Sequence, residues 1–112
     1  MQEKLLPAEL RSAIPKLYSQ EKIGTKEKQV FAKFFFPAGN WTWFVTEGEA
    51  EGDDFVFFGF VVGDFDEWGY FTLNELSSIN FAGLTVERDL HFKPGKFSDV
   101  IVQFRRERGA IV

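Results

Sequence analysis

The sequence predicts an α+β fold, an antiparallel sheet of about four to five strands with N-terminal, middle and C-terminal helices packed on it. Three observations predict it. Apolar residues recur at spacing two from Val30 to Val62, the repeat of a strand, but at three or four near both chain ends and from Leu73 to Ile79, the repeat of a helix. Connections between the apolar runs are hairpin-length, which favours antiparallel neighbours over crossover helices. Finally, 45% hydrophobic and 27% charged residues in a chain of 112 is a globular balance, read as a single α+β domain over residues 1–112.

In chain order, Pro7 suits the first turn of a helix, where its missing N–H costs nothing. Leu6, Leu10 and Ile14 follow at spacing four, so a short helix is expected from about Pro7 to Ala13. Pro15 ends it, because proline disfavours helical geometry at the residue before it. A turn then places Leu17 and Tyr18 on the core. Ser19 to Gln29, with Lys22, Lys26, Lys28 and Gly24, has no apolar period and reads as a mobile loop.

Val30, Ala32, Phe34 and Phe36 alternate with Phe31, Lys33 and Phe35 in the first strand, and Pro37 to Asn40 is turn chemistry. The second strand, Trp41 to Glu47, puts Trp41, Trp43 and Val45 on one face and Thr42, Phe44 and Thr46 on the other. Gly48 to Asp54 reads as an acidic loop. Phe55 to Val62 is nearly continuous in apolar residues, as in a central strand covered on both faces. Gly59 in its middle signals a bulge or a close contact with a large ring.

A second acidic loop, Gly63 to Gly69, leads into Tyr70-Phe71 and a helix. Thr72 and Glu75 there form a capping box, with Leu73, Leu76 and Ile79 on the buried side. Thr85 to Phe92 alternates as a last strand and stops at Pro94-Gly95. Ser98 can cap a final helix carrying Phe97, Val100, Ile101 and Phe104, with Arg105, Arg106 and Arg108 at its negative end. Val100-Ile101-Val102 also suits a strand; helix is preferred.

Charge is arranged in blocks. Between Phe34 and Glu87 there is no Lys or Arg but ten Asp and Glu, so a net charge of −4 hides an acidic centre between basic ends. Opposite segments lying side by side explain this without function, whereas an acidic face for a basic partner is the functional reading. A pI near 5.0 argues against a primary nucleic-acid binder. No Cys is present, which removes disulfides, thiolate metal sites and cysteine nucleophiles, and the one histidine, His91, removes any site needing two imidazoles. The start carries Glu3, Lys4 and Glu9 and builds no signal peptide, and the longest uncharged stretch, Phe34 to Thr46, is too short to span a bilayer. A cytoplasmic protein without membrane contact is expected.

Leu5-Leu6-Pro7, Pro15-Lys16-Leu17-Tyr18-Ser19, Asn40-Trp41-Thr42-Trp43, Phe58-Gly59-Phe60-Val61-Val62-Gly63, Gly69-Tyr70-Phe71-Thr72-Leu73-Asn74-Glu75-Leu76 and Glu87-Arg88-Asp89-Leu90-His91-Phe92-Lys93-Pro94 occur in this order. Together they resemble a family of small bacterial proteins classed as a domain of unknown function. The resemblance covers nearly the whole chain, leaving out Glu21 to Lys28 and Gln103 to Val112. It implies an origin on plasmids, phages and integrative elements, near anti-restriction and other accessory genes. No catalytic residue or cofactor comes with it.

Candidate binding residues are the tryptophans Trp41 and Trp43 and the loop acids Glu49, Asp53, Asp54, Asp64, Asp66 and Glu67. Asp64, Asp66 and Glu67, with Asp53 and Asp54 taken to lie on a neighbouring loop, have the chemistry of Ca²⁺ or Mg²⁺ ligands, but their spacing completes no calcium loop, and solvated acids are preferred. The tryptophans share a face with Val45, so core packing competes with an aromatic patch left open for a partner. In Glu87-Arg88-Asp89 with His91, Arg88 is expected to pair with a carboxylate if buried. The reading is a non-enzymatic small acidic protein of a mobile element, acting on a basic protein partner with no metal or cofactor, possible antagonism of host defence or restriction included; the alternative is a small hydrolase or metal-dependent enzyme using loop carboxylates. The carboxylates from Glu47 to Glu67 are expected to stay exposed, because burial without partners is costly.

Overall fold

The apolar alternation that begins at Val30 builds the centre of the molecule. In a computed structural model describing residues 2–109, the elements are α1 (Gln2–Leu5), α2 (Ala8–Ala13), a short 3-10 turn (Thr25–Glu27), β1 (Gln29–Val30), β2 (Ala32–Phe35), β3 (Thr42–Glu51), β4 (Asp54–Val62), β5 (Asp66–Thr72), α3 (Leu73–Ser78), β6 (Asn80–Phe81), β7 (Leu84–Thr85), β8 (Glu87–Arg88), β9 (Gly95–Lys96) and α4 (Phe97–Gly109). Five strands form one antiparallel sheet in the order β5-β4-β3-β2-β8. The fold class is the α+β arrangement that the alternating periods predict.

Both sheet faces are apolar because β2, β3 and β4 carry large side chains at odd and even positions alike. On one face Phe34, Trp43, Val45, Phe57 and Phe71 pack under Leu5, Leu73 and Leu76 of the N-terminal and middle helices and under Leu6 and Ile14, which flank α2. On the other, Val30, Phe44, Phe60 and Val62 pack under Phe97, Ile101 and Phe104 of α4, with the Phe44 and Phe104 rings edge to face at 5.1 Å. The region around Val100 is therefore helix. Thr72 caps α3, its Oγ1 accepting from the Glu75 N–H at 3.1 Å.

A bulge interrupts the β3–β4 ladder between Val45 and Glu47, opposite Gly59 and Phe58. Gly59 faces Val45 there, and a Cβ on it would lie 1.8 Å from the Phe44 carbonyl oxygen, so only glycine fits. The bulge aims the Glu47 side chain at the turn after Pro15. Although Glu47 was expected to be exposed, it is 4% exposed, and its carboxylate accepts the backbone N–H of Tyr18 at 2.8 Å and of Gln20 at 2.7 Å. Tyr18 adopts φ 72° so that these donors converge on one anion, a left-handed geometry unfavourable for a residue with a side chain.

Gln20 completes the latch. Its Nε2 donates to the carbonyls of Gln29 (3.0 Å) and Thr46 (2.9 Å), and its Oε1 accepts the Gln29 N–H at 2.7 Å. The Pro15 carbonyl accepts the Gly48 N–H at 2.9 Å, and the Lys28 carbonyl accepts the first N–H of α4, that of Phe97, at 2.7 Å. Ser19 to Gln29, which composition suggests is a mobile loop, is thus tied at both ends by polar contacts that no apolar period marked, while Glu21 to Glu27 between them are exposed. For the same reason Tyr18 is turned outward, 61% exposed, rather than onto the core.

Two other expectations change. The last strand, read as Thr85 to Phe92, is broken: Leu84–Thr85 pairs with Asn80–Phe81 across a two-residue turn at Ala82 and Gly83, both at positive φ, and Glu87–Arg88 alone joins the main sheet. The acidic loops are shorter than expected, because β3 runs to Glu51 and β5 begins at Asp66. Cross-strand pairing overrides the low strand propensity of the acids.

Removing the Glu47 carboxylate leaves two inward N–H groups without an acceptor. Glu47→Ala is therefore expected to lower the unfolding free energy by roughly 2–4 kcal/mol in urea titrations, whereas Glu51→Ala, at the exposed end of the same strand, stays within about 0.5 kcal/mol.

Candidate functional site

Strand β4 decides which of the acids can act together. Asp54 and Val62 are the ends of this nine-residue strand, so the two acidic groups are separated by roughly 26 Å along it. Asp53 and Asp54 therefore do not neighbour Asp64, Asp66 and Glu67, as the loop reading had placed them. Among the described residues no group of three or more His, Asp or Glu gathers where it could hold a metal ion.

At the Asp54 end the acids serve the fold. Glu49 accepts the Leu17 N–H at 3.1 Å through Oε1, beside the Glu47 latch. Asp54 Oδ1 accepts the N–H groups of Phe55 at 2.7 Å and Asn74 at 3.0 Å, tying the start of β4 to the first turn of α3. Burial pushes the Asp54 carboxyl up, but the N–H groups of Asn74 and Phe55 and the Thr72 hydroxyl outweigh it and hold the group below its ordinary value. Asp53 is exposed beside Gly52, whose φ of 58° makes the tight turn.

At the other end, acids and rings come together. Trp41 is 37% exposed, stacks on Trp43 with centroids 6.0 Å apart, and covers Gly63 so closely that a Cβ there would lie 2.5 Å from the indole. Trp43 itself is buried and belongs to the core. The two indoles, with Phe36, Phe71, Leu76 and Glu75, line an apolar hollow of about 380 Å³. From Gly63, whose N–H is donated to the Phe65 carbonyl, the chain carries Asp64, Phe65, Asp66 and Glu67 around the end of the sheet. All four are exposed, Phe65 to 79%. Asp66 lies 3.7 Å from Arg105 of α4, a solvent-facing pair that contributes little.

Sequence reasoning passed over Phe65. A phenylalanine flanked by two aspartates in a glycine-bounded loop has no core to enter, and that pattern was the available signal. Arg88, for its part, is half-buried and donates from Nε to the Lys4 carbonyl at 3.3 Å rather than to a carboxylate; the ion pair of this region is Lys33 with Asp89 at 3.3 Å. That pair and His91 line a larger cleft of about 550 Å³ against α4, where Asp89 also accepts the backbone N–H of His91 at 2.9 Å. Lys93, Asp99 and Glu107 line the same cleft.

The family described as Protein of unknown function (DUF2958) matches residues 5–112, and so takes in the Glu21 to Lys28 and Gln103 to Val112 segments that the quoted motifs leave out. No curated protein and no solved structure matches the chain. No helix among the described residues is long and apolar enough to cross a membrane.

Because the folded-state pKa of Asp54 is depressed, the group contributes stability above its ordinary value of 3.8, and this is lost as the pH falls through the folded value. Asp54→Ala is expected to cost about 1 kcal/mol at neutral pH, with the gap to the parent protein closing below the ordinary value, and Asp54→Asn to retain most of the stability. Thermal unfolding across acid pH checks this.

Proposed function

The chain belongs to the family described as Protein of unknown function (DUF2958), and on that premise we propose that it acts by binding another protein through the end of the sheet formed by Trp41, Asp64, Phe65, Asp66 and Glu67. One observation carries this reading: Phe65, 79% exposed, sits between carboxylates, and its carbonyl accepts the N–H of Gly63, the residue that the half-open Trp41 covers. Water-exposed rings are unfavourable for the free protein, and exposed aromatic anchors ringed by like charge are what a partner surface of opposite charge uses. The acids would steer a basic partner into contact, and the rings would hold it.

A basic partner fits the mobile-element setting that the sequence resemblance implies. A host-defence or restriction protein has a basic nucleic-acid site, and an acidic surface competes for it in the cytoplasm. The alternative, a hydrolase or metal-dependent enzyme working through loop carboxylates, needs two acids about 5–9.5 Å apart in a cleft, or several oxygens around one ion. Strand β4 keeps the two acidic groups too far apart to share one site, and no observation favours that alternative.

The test is capture of host proteins with cross-linking, followed by binding kinetics on the protein recovered. Asp64→Lys with Glu67→Lys is expected to slow association and weaken its salt dependence, and Phe65→Ala to speed dissociation by about 2 kcal/mol or more. Glu51→Lys with Asp53→Lys, at the far end, should change neither rate. Equal retention of the same proteins by a chain carrying Asp64→Lys, Phe65→Ala and Glu67→Lys would overturn the reading.

A further inference from the structure

On the α4 side of the sheet, the helix packs on Phe44, Phe60 and Val62, with Trp68 at the edge of that cluster. Between that edge and the latched turn lies a cavity of about 280 Å³ whose walls are the rings of Tyr18, Phe58, Trp68 and Tyr70, with the carboxylates Glu21 and Glu47 on the same lining. The Phe58 ring centroid is 5.9 Å from that of Trp68, nearly parallel to it, and 5.0 Å from that of Tyr70, tilted at 57°. Trp68 packs on the α4-side core and Phe58 is half-buried, but burial does not explain the two tyrosines. Tyr18 is 61% and Tyr70 56% exposed, and Tyr18 projects from a left-handed backbone that glycine would adopt without strain.

The faces of aromatic rings are negative, and a cation within about 6 Å of several centroids is attracted by each of them. Two carboxylates add to the same field. One cation also lines the cavity, Lys28, whose Nζ is committed to the Gln20 carbonyl at 2.5 Å, so acids outnumber bases in the lining. We propose that this cavity is a binding site for a methylated ammonium group, the chemistry shared by choline and by trimethyllysine. The large, weakly hydrated cation replaces its water with ring faces, while the carboxylates supply the opposite charge. The state of Tyr70 agrees with an electronegative cavity: the Tyr18 hydroxyl beside it, burial, and the charges of Tyr18, Glu47 and Glu21 hold its phenol above the ordinary value. This site is separate from the Phe65 surface and does not depend on it.

The experiment is a titration followed at the Trp68 indole N–H resonance, with choline chloride, the uncharged tert-butyl analogue of choline, and a trimethyllysine peptide alongside its unmethylated form. Choline or the methylated peptide is expected to give a saturable shift that the uncharged analogue and the unmethylated peptide do not. Tyr18→Gly, which removes a wall while relieving backbone strain, and Tyr70→Ala should each weaken binding about tenfold without loss of the folded spectrum. Lys28→Gln should strengthen it. A peptide preference of about tenfold or more over choline identifies a protein-borne group, and equal affinity a free headgroup; either supports the shared chemistry. The absence of a saturable shift with both methylated probes, an equal shift with the uncharged analogue, or unchanged affinity in Tyr18→Gly and Tyr70→Ala would overturn the proposal.

Discussion

The buried carboxylate of Glu47 is the contact on which the arrangement of this chain depends. It sits at the bulge after Val45, where the ladder to β4 slips past Thr46, and it receives the N–H groups of Tyr18 and Gln20. A buried charge is tolerable only when hydrogen bonds replace its water, and here backbone donors do so. The consequences spread outward. Gln20 is drawn into the gap between β1 and β3, Lys28 presents its carbonyl to the first N–H of α4, and the helix is thereby set over Phe44 and Phe60. Gly59, facing Val45, lets the two strands close up around the slip.

Much of the fold was legible because it rests on local pattern. The alternation through β2, β3 and β4, the capping box at Thr72, the spacing of Phe97, Ile101 and Phe104, and the flag raised by Gly59 all report interactions between residues near in sequence or repeated at a fixed period. What was not legible depends on contacts distant in sequence. Nothing local distinguishes Glu47 from Glu51, yet one is buried and the other exposed, because only the first faces the turn after Pro15. A segment without apolar period reads as a mobile loop, yet the polar groups of Gln20 and Glu47 anchor its ends.

The candidate site shows the same division. Composition marked the acidic centre, but strand length distributed it: Glu49 and Asp54 brace backbone N–H groups at one end, while Asp64 and Glu67 stand in solvent beside Phe65 at the other. Of the tryptophans, Trp43 is core and Trp41 bridges core and surface over Gly63. The latch that shapes the sheet also sets Tyr18 outward beside Tyr70 and Phe58, so a structural device and the proposed recognition cavity share one strained residue.

Native-state hydrogen exchange of the Tyr18 and Gln20 amides tests this account most directly. If the Glu47 carboxylate organises the turn, both amides exchange only with the global unfolding that releases the β3–β4 ladder, and their protection falls selectively in Glu47→Gln. Exchange of both at the rates of an open loop, with the ladder amides still protected, would show that the turn rests on β3 without being held by it, and the account would fail.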